Sequence, residues 1–463
     1  MASLALAMLS SSLGTGIVNV ALPTLTGHFH APVAAVQWVV IAYLLTSTAA
    51  IVAVGRLGDL LGQRRLLLAG LALFLLAAAA AGLAPSLAAL IAARAVQGVA
   101  GAVLMALTVA LARSSVERER TGAAMGLLGT MSAVGTALGP SLGGAVLAGL
   151  GWRAVFFATL PLTALAFGLA SSQLPRDPSP RAAGAREGLD GPGTVLLATT
   201  LAAFALAVSG GAAVGPWRTA AALTALGGLG AFVLVERRAA APLIPLQLLQ
   251  GALGGALLTN VAVATVMMAT LVVGPFYLVQ GLGLEALPTG LVMTVGPAVA
   301  AAMGLPAGRL VDRFRPARVM RLGLVAVGAG AAALASGLGG ARLPAYVLAL
   351  VVTTAGYALF AAANNTAVMA DVPTNRRGVV AGLLNLSRNL GLMIGATVLG
   401  AVFSAACQVG GQGLVTKEVV VGAMRTTFLF AASAVGAVLV VVLARNRVRP
   451  RNCCGPAIGG PTR

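Results

Sequence analysis

Fourteen stretches of almost unbroken apolar residues divide the chain. They fall at about residues 4–23, 35–54, 66–84, 86–112, 122–149, 153–172, 192–209, 217–235, 253–275, 288–307, 317–337, 343–365, 378–404 and 424–444. A helix needs about 20 apolar residues to cross a hydrocarbon core. The pattern therefore predicts fourteen transmembrane helices with short connections. The seventh and eighth runs are short and rich in Gly and Ala. No basic leader precedes the first run, which reads as a span and not as a signal peptide.

Composition narrows the class. Of 463 residues, 59% are apolar and 9% charged, whereas soluble chains carry roughly a quarter charged residues. A water-soluble enzyme and a disordered chain are both excluded. The formal net charge is +19, and Lys417 is the only Lys among 30 basic residues. The abundance of Arg, Ala and Gly suggests a GC-rich bacterial genome. A basic excess can signal nucleic-acid binding, but these Arg residues sit in short segments between apolar runs. With the segment after the second run taken as cytoplasmic, 23 basic residues fall on that side and five on the other. Arg94 and Arg388 lie inside runs. Such a bias orients a polytopic protein with its basic side inward. It predicts an inner (cell) membrane protein with both termini cytoplasmic. Cys407, Cys453 and Cys454 are too few for a disulfide framework.

An internal repeat follows. Gly55-Arg56-Leu57-Gly58-Asp59 comes after the second run and Gly308-Arg309-Leu310-Val311-Asp312 after the tenth. Eight runs separate the copies, so both face the same side. The expected organisation is a six-helix bundle at 1–175 and a linker at 176–250 that carries two extra helices. A second six-helix bundle follows at 251–445 and a cytoplasmic tail at 446–463. Parallel repeats of this kind are one plan for transporters, with the substrate between the halves near the midplane.

Several segments carry candidate chemistry. The stretch from Gly55 through Asp59 and Gly62 to Arg64 and Arg65 reads as a tight loop. Its Asp can accept from a helix N-terminus or pair with an Arg, a clasp that holds one conformation. A plain basic turn is the alternative. Gly135, Gly139 and Gly143 recur every four residues in the fifth run, beside Pro140 and Gly144. They permit backbone-to-backbone helix packing, and Pro140 removes one ladder hydrogen bond. Arg94, in Arg94-Ala95-Val96-Gln97-Gly98, sits near the middle of the fourth run and should face a polar cavity or a partner. An Arg bonded to backbone carbonyls for structure is the alternative. Arg388 lies at similar depth in the thirteenth run, within Asn385-Leu386-Ser387-Arg388-Asn389.

These strings resemble the major facilitator superfamily. The Gly55 to Arg65 stretch is similar to its signature loop, with Leu60 and Gln63 in place of usual basic residues. The fifth run resembles the antiporter motif of the fourteen-helix drug:proton exporters, and the Arg94 segment resembles their fourth-helix motif. The resemblance implies an all-α fold of two six-helix bundles plus two central helices, and export of drugs or antibiotics by proton antiport. It links Arg94 to proton transfer. Gly14, in Leu13-Gly14-Thr15-Gly16-Ile17-Val18-Asn19, stands where that branch usually has Asp, and Gly16 replaces a usual Thr. None of the eleven acidic residues falls at mid-depth of a run, although a buried carboxylate is the usual proton carrier. Asp59 and Asp312 are the fallback candidates.

The expected cavity carries Asn19, Gln37, Trp38, Tyr43, Asn364 and Asn385, none of them charged. Such a lining suits a bulky lipophilic substrate better than a sugar or a phosphate ester. His28 and His30 are too few for a metal site, and no metal, cofactor or nucleic-acid partner is expected. The expected partners are a lipophilic small molecule, protons and the bilayer, with the protein a monomer. The alternatives are an importer or uncoupled facilitator for a small neutral metabolite, and a membrane-embedded enzyme. No catalytic cluster at membrane depth supports the latter.

Overall fold

The computed structural model describes residues 1–115, 121–175, 191–209, 216–238, 251–336, 343–370, 372, 377–409 and 416–448. Side chains at Gly55, Arg56 and Asp59 lie outside the described set. So do 176–190, 210–215 and 239–250 of the expected linker, and the tail from 449.

Every described element is helical. The first run forms α1 (Ala2–Gly16), a short 3₁₀ turn (Asn19–Ala21) and α2 (Leu22–Phe29). The break has a local cause. Pro23 has no N–H for the Asn19 carbonyl four residues back, and the Leu22 N–H takes that carbonyl instead. Then come α3 (Val33–Leu61), α4 (Gln63–Gly82), α5 (Leu87–Ser115) and α6 (Thr121–Leu150). The sixth run is α7 (Trp152–Phe157) and α8 (Leu160–Gln173), interrupted just before Pro161 for the same reason. The extra pair is α9 (Gly191–Ser209) and α10 (Pro216–Arg238).

The C-terminal part begins with α11 (Ala252–Phe276), prolonged by a π turn (Tyr277–Gly281) after Pro275. It continues with α12 (Ala286–Arg313), α13 (Pro316–Ser336) and α14 (Leu343–Ala370). The thirteenth run is α15 (Arg377–Ile394), a π turn (Gly395–Leu399) and α16 (Gly400–Val409), and α17 (Lys417–Val448) ends the described chain. Thirteen helices among the described residues are long and apolar enough to cross a membrane. The seventh run supplies a shorter apolar helix, Gly193–Val208.

The two halves pack by the same rule. In the first, α3 and α4 each pack on α5, α6 and α8 on α1, and α8 also on α4. In the second, α12 and α13 each pack on α14, α15 and α17 on α11, and α17 also on α13. This is one bundle plan used twice. The halves meet through α6 against α12 and α3 against α15, a reciprocal pair of contacts. The helices α9 and α10 form a hairpin whose α9 leans on α3, while Leu223, Leu226, Leu229 and Leu234 of α10 point outward.

One expectation is corrected. The Gly55 to Arg65 stretch is not a loop: α3 runs to Leu61 and α4 starts at Gln63. Gly62 alone makes the turn, at φ +94°, a conformation that L side chains rarely adopt. Leu57, Leu60 and Leu61 carry the helix on, and Gly58 lets α5 close in, since a Cβ there would stand 2.8 Å from Leu107 Cδ2. The second copy, Gly308 to Asp312, likewise lies within α12. There Gly308 faces open space, and Asp312 is exposed and pairs with no described residue. The repeat in sequence is thus a repeat of helix ends, and in the second copy Val311 packs into a small core with Val319, Leu359 and Ala363.

The α6–α12 seam makes a test. A Cβ on Gly290 would collide with the Pro140 carbonyl and stand 2.9 Å from Gly144 Cα. Overpacking costs about 1–3 kcal/mol, enough to shift a two-state equilibrium about tenfold. Gly290→Val is expected to open this seam. The check is faster labelling, in intact cells, of a cysteine introduced near residue 286.

Candidate functional site

Arg94 is the eighth residue of α5, roughly 10 Å along the axis from the helix start. It therefore lies nearer that end than the middle expected from the apolar run. Its side chain is 1% exposed and is held between three helices. Nε donates to the Val39 carbonyl at 3.1 Å. Nη1 donates to the Gly14 carbonyl at 3.3 Å and to Gln97 Oε1 at 2.6 Å. The guanidinium lies 4.3 Å from the centroid of the Tyr43 ring, within cation–π range. Nη2 is buried and has no hydrogen-bond partner among the described residues.

Local sequence explains why these groups meet. Gln97 is three residues on from Arg94 and shares its face of α5. Gly98 and Gly101 remove the side chains that would keep α5 off α3: a Cβ on Gly98 would strike the Tyr43 carbonyl, and one on Gly101 the Tyr43 hydroxyl. The Thr46 hydroxyl donates to the Ala95 carbonyl at 2.7 Å across the same interface. Toward α1, Thr15 Oγ1 donates to the Tyr43 hydroxyl at 3.3 Å, and Ser11 Oγ to the Gly101 carbonyl at 3.3 Å. Arg94, Gln97 and Tyr43 thus form one polar knot with the backbone of α1. Gly14 contributes only its carbonyl. A Cβ there would stand 2.7 Å from Cζ of Phe74, a wholly buried ring on α4. Phe74 fills the space a side chain at 14 would need, and no pattern in the sequence pointed to it.

The glycine ladder of α6 is the second feature. Cβ atoms on Gly135, Gly139 and Gly143 would stand 2.7 Å from the Leu9 carbonyl oxygen, 3.0 Å from the Gly16 carbonyl carbon and 2.6 Å from the Ile17 carbonyl oxygen. All three lie on the α1 side. Gly144 faces the other half, where its Cβ would stand 2.6 Å from the Ala286 carbonyl oxygen. The C-terminal half holds a counterpart. Gly391 and Gly395 lie against the Val261 and Thr265 carbonyls of α11, and Gly400 against Gln37 of α3, with 2.6 Å from its Cβ position to Oε1. The four-residue spacing of Gly391 and Gly395 was a readable signal for that second ladder.

The remaining candidates are not joined to this knot by hydrogen bonds. Asn19 and Gln37 are buried, with Asn19 Oδ1 and Gln37 Nε2 unpartnered. Neither amide atom of buried Asn364 has a partner. Trp38 and Arg388 are half-buried, the latter with Nε unpartnered. Asn385 is exposed. Beyond the Gly62 turn, Arg64 Nη2 donates to the Ser171 carbonyl at 2.6 Å, tying α4 to α8.

A family model described as Major Facilitator Superfamily matches residues 4–396. The chain belongs to the major facilitator superfamily. The transporter is 31% identical to the multidrug efflux pump LfrA of Mycolicibacterium smegmatis, over 88% of this chain and 80% of LfrA. It is 27% identical to the riboflavin transporter RibZ of Clostridioides difficile, over 94% and 95% of the two chains. Among solved structures, a bacterial homolog of the human lysosomal transporter Spinster, inward-facing and occupied, superposes with a TM-score of 0.66. That match has 14% identity and covers 98% of each chain.

The Gly14–Phe74 contact can be tested on the purified transporter. Gly14→Asp alone is expected to destabilise by about 1–3 kcal/mol through overpacking. Combined with Phe74→Ala, it gains space and has Arg94 beside it. A double-mutant cycle on thermal stability should then give a favourable coupling of at least about 0.5 kcal/mol. Simple additivity would mean that the two positions do not share one space.

Proposed function

We propose that the chain exports hydrophobic, drug-sized molecules by alternating access, with the halves at 1–175 and 251–445 as the moving bodies. The observation that carries the reading is the seam at Gly144 and Gly290. There two backbones from opposite halves touch with no side chain between them. It lies near the end of α6 and the start of α12, away from the Arg-rich segments. On the other inter-half contact, Gln37 of α3 closes on Gly400 of α16. With the basic side inward and both termini cytoplasmic, this conformation is shut outside. The similarity to LfrA supports export, and the sparse charge of the spans supports a lipophilic cargo.

In this reading Arg94, Gln97 and Arg388 orient the substrate or the proton step. Asn19, Gln37, Trp38, Tyr43, Asn364 and Asn385 contribute to the pathway, and Gly55, Asp59, Gly62, Arg64 and Arg65 form the cytoplasmic clasp. The α6 ladder resists leak, and the protein works as a monomer in the cell membrane. Proton antiport, and with it antibiotic resistance, is the coupled form of the proposal. A second reading, uncoupled transport or uptake of a small neutral metabolite, is favoured by the lack of a carboxylate away from helix ends. RibZ, a relative of similar length, is a riboflavin transporter.

Everted membrane vesicles separate the two. Coupled export predicts that a lipophilic dye accumulates at least severalfold over vesicles lacking the protein, and that collapsing the pH gradient abolishes the gain. Equilibration that ignores the gradient selects the uncoupled reading. A drug-susceptibility profile of cells with and without the gene then names the cargo class.

A further inference from the structure

We infer that the free edge of Arg94 is an anion-binding subsite, and that the transported molecule is an amphipathic organic anion which sets a carboxylate or sulfonate oxygen on Nη2. The inference rests on the transport reading above and narrows its substrate class.

A guanidinium has five N–H donors and no acceptor. In Arg94 three are used, on the Val39 carbonyl, the Gly14 carbonyl and Gln97 Oε1. Both N–H groups of Nη2 are left over in a side chain that is 1% exposed. A structural Arg bonded to carbonyls would be expected to use its whole fork, because a buried donor without a partner is costly. The three bonds also fix the guanidinium plane, so the spare edge is preorganised.

The charge is as unbalanced as the donors. Every partner of the guanidinium among the described residues is neutral: two carbonyls, one amide and the Tyr43 ring. Among the described residues no carboxylate pairs with it. Asp59 is third from the end of α3, Asp312 second from the end of α12 and Glu236 third from the end of α10. Glu285 precedes α12, and Glu418 is the second residue of α17. The other acidic residues lie outside the described set. A guanidinium keeps its charge, and a buried charge without a counter-ion is strongly unfavourable. An anion supplies the counter-charge and the two missing acceptors together. A cation would add like charge where the protein has nothing to offset it. The C-terminal half repeats the sign, since Arg388 on α15 also has an unpartnered guanidinium nitrogen. The Tyr43 ring over one face and Phe74 beside Gly14 give the apolar surroundings that an amphipathic molecule requires.

Full-length protein in inside-out proteoliposomes tests this with three dyes. Anilinonaphthalene sulfonate is a lipophilic anion, phenylnaphthylamine is the same ring system without the sulfonate, and ethidium is a lipophilic cation. Wild type is expected to move the sulfonate at least about tenfold faster than the other two. Arg94→Gln should lower sulfonate transport roughly 10- to 100-fold, as loss of a charge-assisted hydrogen bond does, and should lower it more than transport of the neutral dye. Arg94→Lys should recover part of it. Wild type preferring phenylnaphthylamine or ethidium overturns the anion inference and leaves the transport reading standing, and this comparison needs no variant. Equal loss of all three dyes in a folded Arg94→Gln protein also overturns it, because Arg94 then serves the structure or the proton step and not an anionic cargo. Wild type moving none of the three overturns the transport reading, and the inference with it.

Discussion

At its glycines, α6 sets its backbone directly against the backbones of α1 and α12. In lipid the tails around a helix are as apolar as leucine, so helices gain little by hiding apolar surface from them. Association then depends on how closely two main chains approach. The glycines at 135, 139, 143 and 144 turn one helix into a flat-faced post that holds α1 on one side and the opposite half on the other. The second ladder, at 391, 395 and 400, does the same for α11 and α3. Two such posts account for the reciprocal contacts between the halves. They also explain how a chain with so few polar groups still selects one arrangement.

Arg94 shows the opposite economy. Its position is set by glycines at 98 and 101, which admit the Tyr43 backbone and hydroxyl and so bring α3 under the guanidinium. Close backbone packing and a buried charge are therefore one design here: the first removes the second from solvent. Phe74 belongs to the same design. It closes the space beside Gly14 and leaves a carbonyl as the only group that α1 presents at that position.

Much of this was legible beforehand, for identifiable reasons. Spans are written in apolar length, and the runs returned as helices even where Pro23 and Pro161 broke them. The α6 ladder was legible because glycine spacing maps directly onto one helix face. The Gly55 to Arg65 stretch was misread as a loop because Gly55 and Gly58 look like turn residues, whereas the leucines between and after them continue α3 to Leu61. Phe74 was invisible, since a lone aromatic in an apolar run carries no sign of which helix it will touch. The free Nη2 edge could not be read at all: donors are counted only once their acceptors are in place.

The single-residue turn at Gly62 has a mechanical meaning. A joint of one residue cannot stretch, so α3 cannot tilt without carrying the start of α4 with it. The Arg64 grip on the Ser171 carbonyl hands that displacement on to α8. Three helices are geared together at one membrane face, while the gate residue Gln37 rides at the far end of the same α3. In the alternating-access proposal, motion at the joint is delivered, as along a rocker arm, to the proposed seal at Gln37.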